Sequence, residues 1–232
     1  MKFIPILYST PMVQAIIDNR KILTRRIIKP QPDPEVKPGL VPRILGIDDN
    51  WGKWYWDTNE GERIVKFCPY GEPGDILWVR ETWQEYGGHY FYNADAPEIN
   101  EGPLGCANKW RPSIFMPKEA CRLFLQVVSV TPERLQDISE AEIINEGVRV
   151  PHSSDNHIML NLTCDNPAFK FMPEGWKLDG TGIKATDYDW LFAHWAELWC
   201  SINGRESWDL NPWVWRIEFK KIDRPADFKI NE

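Results

Sequence analysis

Paired cysteines are the first thing this chain lacks. Its five, at positions 68, 106, 121, 164 and 200, form no C-x-x-C pair and leave one over. That spacing argues against zinc ribbons and secreted disulfide frameworks, and implies reduced thiols in a cytoplasmic protein. Apolar runs of membrane-spanning length are missing too, and Met1 to Leu7 leads straight into a helix signal without a signal-peptide pattern. No membrane association is expected. Positive charge is scarce: 27 Lys and Arg against 34 Asp and Glu give a net charge of −7. Broad binding to a nucleic-acid backbone needs clustered cations, so any nucleic-acid contact belongs in a pocket. No P-loop, G-x-G-x-x-G, G-x-S-x-G or H-E-x-x-H pattern occurs, which removes most nucleotide-hydrolysing, dehydrogenase and zinc-protease classes. His152 and His157 lack a paired carboxylate or cysteine spacing and read as loop residues, so no metal and no other cofactor is expected.

What is present describes a globular protein. Hydrophobic residues make up 43% of the 232 positions and charged residues 26%, enough for one elaborated domain with a sizeable core. Thirteen tryptophans sit mostly beside prolines and glycines, which suits a loop-rich domain with aromatic packing and leaves some rings free to stack on a base.

The chain is organised around Thr10 to Arg26, T-P-M-V-Q-A-I-I-D-N-R-K-I-L-T-R-R. Thr10 is suited to cap a helix and Pro11 to occupy its first position. Val13, Ile16 and Ile17 make one apolar stripe, and Asn19 fits a left-handed residue at the helix end. Lys21 then lies in the turn. Ile22 to Ile28 reads as a strand, in which Thr24 and Arg26 project together while Arg25 and Ile27 point the other way. An ammonium, a hydroxyl and a guanidinium could thus converge, although a solvated basic patch has the same spacing.

Several later stretches carry further signals. Phe3 to Tyr8 reads as a first strand, Lys29 to Pro42 as a proline-rich excursion, and Trp51–Asp57 with Arg63–Cys68 as a hairpin. Ile76 to Trp83 reads as a strand with Leu77, Val79 and Glu81 on one face and Trp78, Arg80 and Thr82 on the other. Glu81 is then either an ion-pair partner or a pocket acid. His89 to Asn93 and Cys121 to Val130 are further strands. Ser139 and Glu142 form a capping box, with Ile138 and Ile143 as a hydrophobic staple, for a helix over Glu140 to Glu146 that Gly147 terminates. Glu146 lies in the last turn, where the helix dipole and any burial favour its protonated form. An exposed helix-end glutamate is the plain alternative. Asp189 to Ile202 is helical, Trp213 to Phe219 is a closing strand, and Lys220 to Glu232 reads as a frayed, charged tail.

Taken in order, Lys21, Thr24 and Arg26, the run G-D-I-L-W-V-R-E at Gly74 to Glu81, the helix ending N-E-G-V at Asn145 to Val148, and the closing W-V-W-R-I-E-F resemble the ASCH domain of the PUA-like superfamily. The layout, with P-M-V-Q-A-I near the start and S-I-N-G-x-x-S-W-D-x-N-P-W-V-W near the end, is similar to long ASCH proteins often encoded by bacteriophages and prophages. The family signature is G-x-K-x-x-(E or T)-x-R, and here Asn19 stands where glycine is typical. The resemblance implies an α+β fold, a small PUA-like β-barrel flanked by short helices. One domain would span 1–223, with insertions at about 29–68, 94–112 and 150–187 and a tail over 224–232.

It also implies an activity. Small bacterial ASCH proteins with lysine and threonine at these positions are amidohydrolases of N4-acetylcytidine, with a glutamate from the later helix that matches Glu146. By this likeness Lys21 would be the base, Thr24 the nucleophile and Glu146 the acid or base, while Arg26, Arg80, Glu81 and Trp83 would hold the nucleoside. Two other activities fit a PUA-like domain: a non-catalytic reader of a modified nucleoside or RNA, and a metal-independent ribonuclease. The expected partner is a modified nucleoside or RNA held in a pocket, with the protein a monomer or small homo-oligomer.

Overall fold

A computed structural model of the chain describes residues 1–31, 53–57, 63–95, 109–148, 171 and 187–229. The remainder of the proline-rich excursion, most of the expected insertion over 150–187, His152, His157, Cys106 and Cys164 lie outside the described residues.

Nine strands and four α-helices are described, in the order β1 (Phe3–Leu7), α1 (Thr10–Ile17), β2 (Leu23–Ile27), β3 (Lys53–Asp57), β4 (Arg63–Phe67), β5 (Ile76–Arg80), β6 (Trp83–Tyr86), β7 (His89–Tyr92), β8 (Phe124–Arg134), α2 (Glu140–Asn145), α3 (Asp187–Asn203), α4 (Arg205–Asp209) and β9 (Trp213–Ile222). The class is α+β. Five strands form one mixed sheet in the order β1-β5-β8-β9-β2, parallel only between β1 and β5. The pairs β3-β4 and β6-β7 make two separate hairpins.

Among the described residues the large sheet is open, with β1 and β2 as its edges. These described strands do not close into a barrel. The two edges nevertheless approach each other, because Arg26 on β2 donates from Nη2 to the Leu7 carbonyl of β1 at 2.7 Å.

Alternation along the strands sorts side chains to two faces. Leu77 and Val79 of β5, Leu125 and Val127 of β8 and Trp215, Ile217 and Phe219 of β9 pack with Val13 and Ile16 of α1 in the main core. The opposite face of β9 gives Val214 to a second cluster with Ile143 of α2, Trp195 and Trp199 of α3 and Trp208 of α4. Ile76, Trp78, Trp83, Met116 and Phe124 form a third. Val128 is the extra residue of a bulge opposite Phe219 and Glu218, and it is turned outward.

Three expectations are corrected. Ser9, not Thr10, occupies the N-cap of α1, and the Thr10 hydroxyl meets Asn93 Oδ1 at 2.8 Å instead. The strand expected over Ile76 to Trp83 ends at Arg80, and Trp83 begins a different sheet. As far as residue 229, where the described residues end, the tail is ordered: Lys220 to Ile222 pair with Gln126 to Phe124, and Phe228 is buried against the Phe3 and Phe124 rings. An aromatic with an apolar slot to fill outweighs the charges around it.

Candidate active site at the edge of the sheet

The turn that delivers Lys21 depends on two backbone features. Asn19 adopts φ 58°, the left-handed conformation asparagine tolerates better than other non-glycine residues, so the backbone N–H groups of Arg20 and Lys21 both reach back to the Ala15 carbonyl at 2.8 and 3.0 Å. The end of α2 then docks on this turn. Ile22 N–H donates to the Asn145 carbonyl at 2.9 Å, and Lys21 and Glu146 form an isolated antiparallel bridge. Gly147 makes that approach possible. Its φ is 91°, and a Cβ there would lie 2.9 Å from the Ala15 Cβ and 3.2 Å from the Lys21 Cβ.

The two chains bring opposite charges together out of water. Lys21 Nζ donates to Glu146 Oε2 at 2.6 Å and to the Glu146 carbonyl at 2.8 Å, and both residues are at most 3% exposed. Burial lowers the Lys21 proton affinity, and the adjacent Glu146 opposes that shift. Of the two alternatives, a buried acid and an exposed helix-end residue, Glu146 is the buried one, and two cations straddle it. Arg25 Nη1 reaches its other oxygen at 3.2 Å.

Arg25 is the residue whose role sequence reasoning missed. It does point away from Thr24, pairing with Arg216 rather than Ile217. Yet its guanidinium lies between Glu133 (2.6 Å), Glu142 (3.2 Å) and Glu146, over the Trp195 ring. Glu146 sits just beyond the start of an edge strand, where side chains from both faces can reach it. No local pattern marks Glu133 as a partner, because it comes from the far end of β8.

Thr24 is buried on the main-core face beside Ile217, and its hydroxyl lies near the Tyr8 hydroxyl. The Tyr8 ring is flanked by two cations, with the Arg26 guanidinium 5.1 Å and Lys21 Nζ 5.8 Å from its centre. Burial pushes the Tyr8 phenol up to about 12, against Arg26, so it carries its proton at neutral pH.

Lys21, Thr24, Arg26 and Glu146 all line one cavity of about 770 Å³, together with Tyr8 and Arg25. Met12, Tyr70, Trp195, Leu198 and Trp199 supply much of its apolar wall. Besides Arg25 Nη2, which is ion-paired with Glu133 and Glu142, three donors on its lining residues, the Tyr8 hydroxyl, Arg26 Nε and the Trp195 indole N–H, are buried without a geometric hydrogen-bond partner among the described residues. Unpaired buried donors are costly, and their grouping around one cavity suits an acceptor-bearing occupant.

The other expected site residues lie elsewhere. Glu81 is 1% exposed and bound by Arg122 through both oxygens, at 2.9 and 3.0 Å. The ion-pair alternative describes it, because the break after Arg80 turns the carboxylate toward Arg122. Arg80 donates to the carbonyls of Met116 and Ile114. Trp83 packs in the third core cluster, against Tyr90 and under Arg111. None of these three lines the cavity, whereas the intervening Thr82 does.

Among the described residues, burial raises the thiols of Cys68 and Cys121 to about 12 and that of Cys200 above its ordinary value. Among the described residues no group of three His, Cys, Asp or Glu side chains has metal-binding proximity, and no helix is long and apolar enough to cross a membrane. Comparison with known proteins finds no match, whether to a family model, a curated protein or a solved structure.

Proposed function

We propose that this protein is an amidohydrolase that removes the acyl group from an N-acylated pyrimidine nucleoside of the N4-acetylcytidine type. It would act as an ASCH-type, PUA-like protein in the cytoplasm. The observation that carries this reading is the convergence of Lys21, Thr24 and Glu146 on one cavity, with Lys21 and Glu146 joined at 2.6 Å. The approach of the two sheet edges across Arg26 supports the curled PUA-like form.

The chemistry follows from those groups. A neutral amine is needed to take the Thr24 proton, and burial favours that form of Lys21. Its ammonium proton can pass to Glu146 along their short hydrogen bond, which leaves an amine in the cavity that Thr24 also lines and a carboxylic acid next to that amine. Thr24 Oγ then bonds to the acyl carbon and gives its proton to Lys21. The bond from the acyl carbon to N4 breaks, N4 takes a proton from Glu146, and cytidine leaves. Water attacks the Thr24 ester, gives one proton to Glu146, and releases the acid with Thr24 restored by the proton held on Lys21. Arg26 and Trp195 contribute donors for the acceptor edges of the base.

The test compares wild type with Thr24→Ala on N4-acetylcytidine, other N4-acylated cytidines and short RNA. Release of free cytidine by the wild type, abolished in the variant with nucleoside binding retained, is expected. Equal turnover in both proteins would exclude Thr24 as nucleophile. Acyl-selective binding without turnover by the wild type would indicate a reader, and cut RNA strands a ribonuclease.

A further inference from the structure

Arg25 holds no position in any motif of the sequence, yet its guanidinium is caged by three carboxylates. It stands on β2 between Thr24 and Arg26, with its side chain turned to the other face of the sheet and 0% exposed. Nε donates to Glu133 of β8 at 2.6 Å, Nη2 lies 3.2 Å from Glu142 of α2, and Nη1 donates at 3.2 Å to Oε1 of Glu146, which caps the end of α2. The cage is itself held. Glu142 also accepts from Arg216 of β9 at 2.6 Å and from the backbone N–H and hydroxyl of Ser139.

Such a cage is a poor device for stability alone, because desolvating several charges costs about as much as their attraction returns, and an apolar side chain of similar volume often serves as well. Its geometry has a sharper use. Glu146 meets one cation at each oxygen, Arg25 at Oε1 and Lys21 at Oε2, the latter at 2.6 Å. A guanidinium has donors and no acceptor, and it keeps its protons at any working pH. Oε1 is therefore occupied by a donor that never leaves, and Oε2 is the oxygen that Lys21 reaches.

On the amidohydrolase reading above, we infer that Arg25 is the positioning residue for the acid: anchored on Glu133 and Glu142, it pins Glu146 Oε1 so that Oε2 stays against Lys21 Nζ, takes its proton and hands it to N4. The fixed charge of Arg25 adds a second effect. A cation beside the carboxyl makes the neutral acid readier to give its proton up. Arg25 acts through Glu146 and neither gains nor loses a proton, so the atom balance of the reaction is unchanged.

The charged and titratable groups around the Lys21–Glu146 pair are Tyr8 after β1, Arg25 and Arg26 of β2, Glu133 of β8, Glu142 of α2 and, behind Glu142, Arg216 of β9. Burial holds the Tyr8 phenol protonated up to about 12, and the guanidiniums and ion-paired carboxylates keep their charge through the alkaline range. Only the pair itself titrates there.

In Arg25→Met the pair loses a neighbouring cation and holds its proton more tightly. The alkaline midpoint of kcat/KM for N4-acetylcytidine should move up by about one pH unit, and kcat should fall about tenfold, part of the roughly 100-fold or more that a placed acid contributes. Glu133→Gln disturbs the cage less and acts with the opposite sign: it leaves the charge of Arg25 less neutralised, so the midpoint should move down. Arg25→Lys keeps the charge without the fork, so the midpoint should stay near that of wild type while kcat still falls. A purely structural arginine would lower the thermal midpoint in these variants and leave the pH midpoint where it is. Should Arg25→Met fail to fold, Glu133→Gln carries the test.

A second measurement needs no substrate. In protein labelled with 15N-lysine, the Lys21 Nζ resonance, identified by its loss in Lys21→Met, reports the midpoint of the pair directly. Unshifted midpoints in Arg25→Met and Glu133→Gln, or shifts of the same sign, would overturn the role given to Arg25. Opposite shifts of the resonance in a protein that does not turn over acetylated cytidine would uphold the hold of Arg25 on the pair and reject the substrate class instead.

Discussion

The pairing of Lys21 with Glu146 makes an unequal prediction about its two halves. Glu146→Gln leaves the Lys21 ammonium, at 3% exposure, with neutral acceptors in place of its carboxylate, the residue-146 carbonyl at 2.8 Å and the glutamine amide oxygen. Breaking a buried pair from one side costs about 3–5 kcal/mol, because the remaining charge is left uncompensated. Lys21→Met is milder, since Glu146 keeps Arg25 at 3.2 Å and methionine refills the space of the lysine stem. We expect losses of about 4 kcal/mol for Glu146→Gln, about 2 for Lys21→Met and about 3 for the double variant, a coupling of about 3 kcal/mol. Urea unfolding followed by tryptophan fluorescence measures all three.

The deficit should also depend on pH. Burial already depresses Lys21, and Glu146→Gln removes the charge that partly offsets this, so the folded-state pKa falls further below the ordinary 10.5. Between that lowered value and 10.5 the unfolded chain binds more protons than the folded one, and stability rises with pH. The Glu146→Gln deficit therefore shrinks as pH is raised. Single losses below about 1 kcal/mol, or losses that simply add, would refute a sealed and coupled pair.

Three further outcomes follow from particular contacts. The kcat/KM for deacylation should fall on the alkaline side as the Lys21–Glu146 pair loses the proton it must hand to N4, with a midpoint below 10.5, and Lys21→Arg, which cannot supply a neutral amine, should abolish nearly all activity. Glu81→Gln should cost about 2 kcal/mol in urea unfolding through the lost Arg122 bonds while steady-state turnover stays within a few-fold of wild type. Phe228→Ala should cost about 3 kcal/mol or more in the same unfolding assay, where a frayed tail would give no change.

Local rules carried far in this chain, and they stopped at identifiable places. Asn19, the Ser139 and Glu142 capping box, Gly147 and the alternation of Leu77 and Val79 against Trp78 are set by near neighbours, and the structure has each of them as read. Lys21, Thr24 and Glu146 were legible as candidates because the turn, the strand and the helix end each had such a signal. The partners of Arg25 were not legible, since Glu133 and Glu146 lie more than a hundred positions away and no spacing rule links them. The strand break between Arg80 and Trp83 was not legible for a related reason. Their β-propensity suggested one continuous strand, and the tertiary pull of Arg122 and the third core cluster breaks it at Arg80. Tyr8 escaped notice because a lone tyrosine at the end of a strand has no signature until its neighbours are in view.

The central claim is that Thr24 attacks an acyl group inside the cavity it shares with Lys21 and Glu146. Its most direct test is peptide mass analysis of the wild type quenched during turnover of N4-acetylcytidine, when part of the protein should carry the Thr24 ester. The account predicts one added acetyl group on the peptide bearing Thr24, absent when Thr24 is alanine. Release of acetate with that peptide unmodified throughout would contradict it.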